Sequence, residues 1–563
     1  MYMRKEQSIM LKDGKILIGK NGTSEIFLDP AMANRHGMIA GATGTGKTTT
    51  VKTIAESFSD AGVPVFIADV KGDLSGIAVA GETEGACTHP SNFWDVYGQK
   101  GMPLRTTISE MGPMLLSRIL GLNQTQSDIL TIIFKIADDG MHIDEDGELT
   151  QGDPLLLIDT KDLRAMISHV SDYTDKFSPM YGNMAKASLA AIIRSIITLE
   201  GEGGEYFFGE PALNIREWFT VDNSTGQGVI QILDCQRLIQ NPTMYSTFLL
   251  WMLSEMYETL PEVGDLPKPK MVFFFDEAHM LFDNASKPLI EKIEQVVKLI
   301  RSKGVGIFFI TQSPQDIPNG VLAQLGNKIQ HALRAYTPAE QKRVKAAAES
   351  FRVNPEFNTY DVLQEMQIGE AIVSVLDESG IPTIAERTKV MLPLSSMKPI
   401  DDYTRDTMIK SGNLFIKYQE SEDPDSAYEF LIRQGVKIAE RAEQNKADQL
   451  AAKEAAKAEA EAAKAAEKAK AQAERDEARA KAAAEKAAQK EIEAKAKAAA
   501  KEEAAKAAAK KRAVKSVGNS VVGTVGREVG KTVGGSVGGK FGKTLGGNLG
   551  AALGRGIFGT FLK

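Results

Sequence analysis

The stretch Gly41-Ala42-Thr43-Gly44-Thr45-Gly46-Lys47-Thr48 fits the spacing GxxxxGK[ST]. Glycines let a loop close its backbone N–H groups around an anion, where a Cβ would obstruct the approach. An apolar run (37–42) precedes the loop, and Thr49–Phe58 reads as the helix that follows. A helix N-terminus adds N–H donors and partial positive charge. A lysine at this position reaches β- and γ-phosphates, and the hydroxyl after it suits Mg²⁺. The pattern therefore predicts an ATP site built from Gly41, Ala42, Thr43, Gly44, Thr45, Gly46, Lys47, Thr48 and Thr49, with Thr48 on Mg²⁺. The flanking strand and helix argue against an accidental glycine turn.

A second chemical stretch is Phe273-Phe274-Phe275-Asp276-Glu277-Ala278-His279. An apolar strand ending in two carboxylates places them at the C-terminal edge of a sheet, the edge where the phosphate loop also lies. There Asp276 would hold Mg²⁺ through water, and Glu277 would orient and deprotonate an attacking water. The simpler alternative is an acidic pair that caps a helix. His279 has two readings, coupling of the nucleotide to a neighbour or plain packing. The run Gly306–Gln312 ends in Gln312, placed to sense a γ-phosphate or to be an ordinary polar loop residue.

These groups need elements to hold them. Apolar runs at 37–42, 63–70, 228–235, 271–276, 306–312, 328–334 and 370–376 are rich in Val, Ile and Phe with little alternation. Such runs suit parallel strands buried on both faces. Helical patterns lie between them, as in 287–304, so residues from about 15 to 392 read as a doubly wound α/β core. The expected organisation is a short N-terminal segment (1–30), a core formed by 31–84 and 226–392, and a helical insertion (85–225) between the second and third core strands. A helical linker (393–439), an Ala/Lys/Glu-rich helix (440–512) and a glycine-repeat basic tail (513–563) follow.

The Ala-rich segment combines strong helix formers with opposite charges at helical spacing, but it lacks bulky residues at seam positions. A long solvated helix is favoured over a stable coiled coil. In the tail, glycines recur every four residues from Gly526 to Gly554. On a helix they would form a smooth ridge for a partner helix or, with Lys531, Lys540, Lys543 and Arg555, for an anionic membrane surface. A flexible glycine-rich tail is the alternative.

The 563 residues carry a formal net charge of −7. Nine Lys/Arg against the single acid Glu528 make residues 511–563 basic, so the excess of acid lies in the first 510. A mostly acidic body argues against a nucleic-acid-coating surface and leaves room for a basic pore. Cys87 and Cys235 have no CxxC partner, so neither a zinc site nor a disulfide framework is readable. There is no run of signal-peptide character and no apolar stretch of transmembrane length. The expected location is cytoplasmic, with peripheral contact at the inner face of a membrane left open by the tail.

Four stretches occur in order: 35–50 around the phosphate loop, Ile67–Gly76, Phe273–Leu281 and Leu299–Pro314. Together they resemble the HerA/FtsK superfamily of P-loop motor ATPases, and most closely the HerA-like helicases and translocases. The resemblance covers roughly residues 15–390. It implies a RecA-like core assembled as a homo-hexameric ring around double-stranded DNA, with ATP between subunits. By position it implies that Arg301 is a finger offered to a neighbour's ATP, that Arg35 is a second arginine of this kind, and that Asp69 lies near the metal or water. Arg334 is a further candidate from position alone. HerA proteins usually carry an N-terminal β-barrel, for which the residues before the loop are too few, so nuclease pairing of the usual kind is left open. No strands of a second RecA-like domain follow residue 392, so the letters Asp-Glu-Ala-His mark the acidic strand end of a one-core ring motor. The expected function is an ATP-driven DNA translocase or helicase. The alternatives are a membrane-associated ATPase that remodels protein and a slow nucleotide-dependent switch.

Overall fold

The computed structural model describes residues 10–283 and 287–493. It divides into two compact units. Among the described residues the first comprises 10–138, 155–164 and 185–427, and the second 139–154, 165–184 and 428–493. The glycine repeat and the end of the Ala-rich segment lie outside the described residues.

The first unit is built on one 13-stranded sheet. Before the phosphate loop come β1 (Leu11–Lys12), β2 (Lys15–Asn21), β3 (Ser24–Leu28) and β4 (Gly37–Ala40). Then follow β5 (Val65–Asp69), β6 (Ser91–Asp95) and β7 (Met102–Pro103). In the second unit β8 (Met141–Ile143) and β9 (Leu149–Gln151) pair as a separate antiparallel hairpin. The main sheet resumes with β10 (Ile230–Asp234), β11 (Met271–Phe275), β12 (Val305–Thr311), β13 (Asn327–His331), β14 (Glu370–Ser374) and β15 (Glu386–Val390). Its spatial order is β1-β2-β15-β14-β13-β4-β12-β11-β5-β10-β6-β7, with β3 beside β2.

From β13 to β7 all pairings are parallel. Both faces of this stretch are buried. Phe274 stacks on Phe308 with ring centroids 5.2 Å apart on one face, and Phe273 meets Phe66 at 5.2 Å on the other. Phe66 in turn stacks on Trp218 at 4.9 Å. Helix α1 (Lys47–Asp60) leaves the phosphate loop and packs Val51, Ile54 and Phe58 into the same core as Phe274 and Phe308.

Three features differ from the expectation. Strand β14 runs antiparallel to β13. An apolar run buried on both faces reads the same in either direction, so composition could not set its sense. Strands β6 and β7 extend the sheet from within the 85–225 segment, but they are short and partly polar, and they gave no apolar run. Within the N-terminal segment, β1, β2 and β3 form an antiparallel meander. Its signal was present as Asp13-Gly14, whose φ values of 49° and 75° suit the tight turn that joins two strands.

After β15, residues 391–400 cross α1 and are fastened to it by buried polar side chains. Thr53 Oγ1 donates to the Met391 carbonyl (2.8 Å) and Lys52 Nζ to the Ser396 carbonyl (2.7 Å). The fully buried Glu56 accepts the amides of Leu394 (2.8 Å) and Ser395 (3.0 Å). The nucleotide-loop helix and the chain leaving the core are thus one hydrogen-bonded block.

In the second unit, His169 Nε2 accepts the Ile143 amide of the hairpin at 3.2 Å, and Phe430 meets His142 edge-on at 4.9 Å. Arg441 Nε pairs with Asp146 at 3.0 Å. A helix of 67 residues, Ala427–Glu493, begins earlier than the composition change suggested and is exposed throughout 441–472. Its rise is about 100 Å at 1.5 Å per residue. Among the described residues no helix is long and apolar enough to cross a membrane.

Glu56→Ala would leave two buried amides without acceptors, at a cost of about 1–3 kcal/mol each. A urea unfolding midpoint that does not fall in this variant would contradict the fastening role.

Candidate active site

The loop between β4 and α1 takes backbone angles that side-chain-bearing residues avoid. Gly44 and Gly46 have φ of 76° and 114°. A Cβ on Gly46 would lie 3.2 Å from the Gly369 backbone, and one on Gly41 2.5 Å from His331 Cβ. The loop is tied on both sides, Gly41 N to the Thr311 carbonyl (3.2 Å) and Ala42 N to the Ala332 carbonyl (3.0 Å). Thr45 Oγ1 closes it inwardly on the Ala42 carbonyl (2.7 Å). Lys47 Nζ donates to the carbonyls of Gly41 (2.6 Å) and Ala42 (3.1 Å). Burial lowers the pKa of this ammonium, and Lys71 lowers it further against the pull of Glu277 and Asp276.

Sheet order brings the acidic strand end to this loop. Strand β12 lies between β4 and β11, and its Thr311 pairs with Ala40 while its Phe309 pairs with Phe275. Phe275 in turn pairs with Ala68, so Asp276 and Asp69 leave the sheet side by side. Asp276 is 7% exposed and accepts the Glu277 amide at 3.0 Å. Burial pushes its pKa up to about 6, with Lys71 opposing and Glu277 adding. Glu277 sits in the left-handed region (φ 48°, ψ 46°). For a residue with a Cβ that conformation costs roughly 1–2 kcal/mol. The turn sets its carboxylate 3.1 Å from Lys71 Nζ, 3.4 Å from His279 Nδ1 and 3.5 Å from Gln312 Nε2. Burial works against the Glu277 charge, but Lys71, His279 and Gln312 outweigh it and hold the pKa below its usual value.

Asp69 acts on the turn that follows β5. Its two oxygens accept the amides of Gly72 (2.7 Å) and Ser75 (3.0 Å). Burial raises its pKa to about 7, and Asp73 adds to the rise. The turn carries two charged groups that sequence reasoning left unassigned. Asp73 Oδ2 accepts from Thr48 Oγ1 at 3.1 Å, and Lys71 pairs with Glu277. Both stand with Asp69 in the stretch Ile67–Gly76, which marks the region without linking Lys71 to Glu277 or Asp73 to Thr48.

Hard oxygen donors suited to a divalent cation converge here: the Thr48 hydroxyl, Asp73 and the buried Asp276. Among the described residues no set of three or more His, Cys, Asp or Glu forms a metal cage.

Arg35 and Arg301 lie elsewhere. Arg35 precedes β4, and Arg301 precedes β12, at the N-terminal ends of adjacent strands. The loop is at the other end, roughly 20 Å away at about 3.3 Å per residue. Arg301 makes a 3.6 Å contact with Asp265, and Arg35 lies against Gly380. Beside the loop instead is a cleft of about 360 Å³ lined by Ala42, His279, Gln312, Arg334 and Arg343, among others. Arg334 Nη2 donates to the Met366 carbonyl at 2.9 Å.

Two buried histidines brace the strands around the loop as neutral rings. His331 Nδ1 donates to the Glu370 carbonyl (2.9 Å) while its Nε2 accepts from Thr50 Oγ1 (2.9 Å). His36 has the opposite tautomer, with Nε2 donating to the Val297 carbonyl (2.7 Å) and Nδ1 accepting the Ile307 amide (3.1 Å). Burial lowers both to about 4.

The glycine loop, the helix it opens and the acidic end of a nearby parallel strand define a P-loop NTPase core. The family model for the helicase HerA-like C-terminal region matches residues 15–542, so the chain belongs to the HerA-like P-loop ATPase family. A probable helicase, MJECL08 of Methanocaldococcus jannaschii, is 29% identical over 154 residues, 26% of this chain and 28% of that protein. Among solved structures, the bacterial conjugative coupling protein TrwB is similar with TM-score 0.45 and 12% identity, over 70% of this chain and 93% of that one. VirB4 of Thermoanaerobacter pseudethanolicus is similar with TM-score 0.45 and 17% identity, over 68% and 98% of the two chains.

Because the folded pKa of His36 lies below its ordinary 6.5, the folded state binds fewer protons than the unfolded one between about pH 4 and 6.5. The stability His36 contributes is present above pH 6.5 and is lost as pH falls through that window. His36→Asn keeps an acceptor and tolerates the positive φ of 56°. Its cost in denaturant midpoint, relative to wild type at each pH, is expected to be largest at pH 7 and to shrink toward pH 4. A cost independent of pH would contradict this assignment.

Proposed function

We propose that the chain is an ATP-hydrolysing ring motor that acts on double-stranded DNA as a translocase or helicase. The observation that supports this best is the separation of charges across the sheet. Lys47, Thr48, Asp276, Glu277 and Gln312 gather at the C-terminal strand edge, while Arg35 and Arg301 stand at the opposite edge. Within one subunit the arginines cannot reach the nucleotide they would serve. In a ring, the N-terminal edge of one copy can face the phosphate loop of the next, and a homo-hexamer satisfies this. A guanidinium delivered there suits the charge that develops on the γ-phosphate.

With the Gly41 and Ala42 amides anchoring the loop to strand carbonyls, the amides from Thr43 to Thr49 and the Lys47 ammonium cradle the phosphates of ATP. Thr48 and Asp276 would hold Mg²⁺, with Asp73 and Asp69 close by, and the ion would neutralise phosphate charge. Glu277 orients the attacking water and takes its proton. Gln312, 3.5 Å from Glu277, spans from that base to the γ-phosphate position. The products are ADP and inorganic phosphate. The family membership supports DNA as the track on which this turnover does work. In this reading the sheet unit is the motor, the long helix and basic tail are accessory segments, and the expected location is cytoplasmic.

Turnover by the purified full-length protein, with and without duplex DNA, tests this reading. Lys47→Ala is expected to abolish hydrolysis, and Glu277→Gln to lower it by about 10²–10⁴-fold. Arg301→Ala is expected to lose on the order of 10³-fold, with partial recovery in mixed rings whose other subunits supply Arg301. DNA stimulation should weaken as salt rises. Turnover blind to DNA at every salt concentration would overturn the DNA assignment and favour protein remodelling.

A further inference from the structure

Lys71 has no part in the reaction as derived so far, yet it stands inside the site. Its backbone is fixed. Gly72, next to it, has a φ of 81° and donates to Asp69, and Gln236 Nε2 donates to the Lys71 carbonyl at 2.8 Å. The side chain is 44% exposed and reaches Glu277 Oε1 at 3.1 Å. With Lys47, Thr48 and Asp276 it lines one small recess beside the phosphate loop. Two ammonium groups converge there and repel one another, so the recess favours an anion between them. Glu277 supplies that anion for Lys71 in this structure. A terminal phosphate held by Lys47 carries more charge and more acceptor oxygens than a carboxylate, and it would compete for the same ammonium.

We propose that Lys71 is a positioning residue that restrains Glu277 through this ion pair and exchanges it for the terminal phosphate of a bound nucleoside triphosphate. Glu277 is then released toward the attacking water only when a γ-phosphate is present. A nucleoside diphosphate lacks the competing group and leaves the pair closed. In the paired state its other oxygen, Oε2, stands 3.4 Å from His279 Nδ1 and 3.5 Å from Gln312 Nε2, two groups that can orient the carboxylate when Lys71 lets go. This exchange rests on the hydrolytic reading above and adds to it a control on when the base is free.

The test is equilibrium binding of Mg²⁺-ADP and a non-hydrolysable Mg²⁺-ATP analogue to the full-length protein. Wild type, Lys71→Ala, Glu277→Gln, the double variant, Lys71→Arg and Lys47→Ala are compared. Lys71→Ala is expected to weaken triphosphate binding on the order of tenfold while changing diphosphate binding less than about twofold. Glu277→Gln should tighten triphosphate binding because the carboxylate no longer competes, and that gain should vanish when Lys71 is also Ala. Lys71→Arg should restore discrimination. A lysine needed only for structure would shift both nucleotides alike. Additive effects of Lys71→Ala and Glu277→Gln would overturn the exchange while leaving hydrolysis standing, provided that Lys47→Ala loses triphosphate binding. If Lys47→Ala binds as well as wild type, the hydrolytic reading falls and the exchange falls with it.

Discussion

Everything at the site depends on the parallel register of β4, β12, β11 and β5. A parallel ladder aligns strand ends, so four separate loops begin at one edge. The ladder is held by burial on both faces. The Phe274–Phe308 stack and the Phe66–Trp218 stack lie on opposite sides of the same sheet. Because each of these rings is packed against neighbours on the next strand, a register slip would move carboxylates and lysine apart and open the core at the same time.

The cost of that arrangement is electrostatic. Burial raises Asp276 to about 6 and Asp69 to about 7, because carboxylates at a packed sheet edge are poorly solvated. Local partners partly offset this: two backbone amides for Asp69, one amide for Asp276, and Lys71 for Glu277. A site with this excess of oxygen donors and two converging ammonium groups is arranged for a cation and a polyanion together. The strained left-handed backbone of Glu277 belongs to the same logic, since it turns the carboxylate out of the strand direction toward Lys71 and Gln312.

Much of this was legible from residue types. The glycine spacing of 41–48, the apolar runs and the Asp276-Glu277 strand end each have a local physical cause, and each formed where expected. The Asp13-Gly14 turn was equally local, but the strand before it has only two residues and shows no apolar run. Strand β6 had too little apolar character to show, since it is completed by neighbours far away in sequence. Lys71 and Asp73 escaped for a different reason. Their roles come from proximity to Glu277 and Thr48, and no spacing rule links positions 71 and 277.

The sequence by itself determined the phosphate loop, the two-sided burial of the central strands and the long Ala-rich helix, because these follow from backbone preference and from hydrophobic pattern within a few residues. Tertiary structure alone decided strand order, the antiparallel sense of β14, the fastening of 391–400 to α1, and which charges meet. It also decided that Arg35 and Arg301 stand across the sheet from the loop. The reason is the same in each case: a contact between distant segments is set by how strands are ordered and aligned, and an apolar run states that a strand is buried without stating its neighbours.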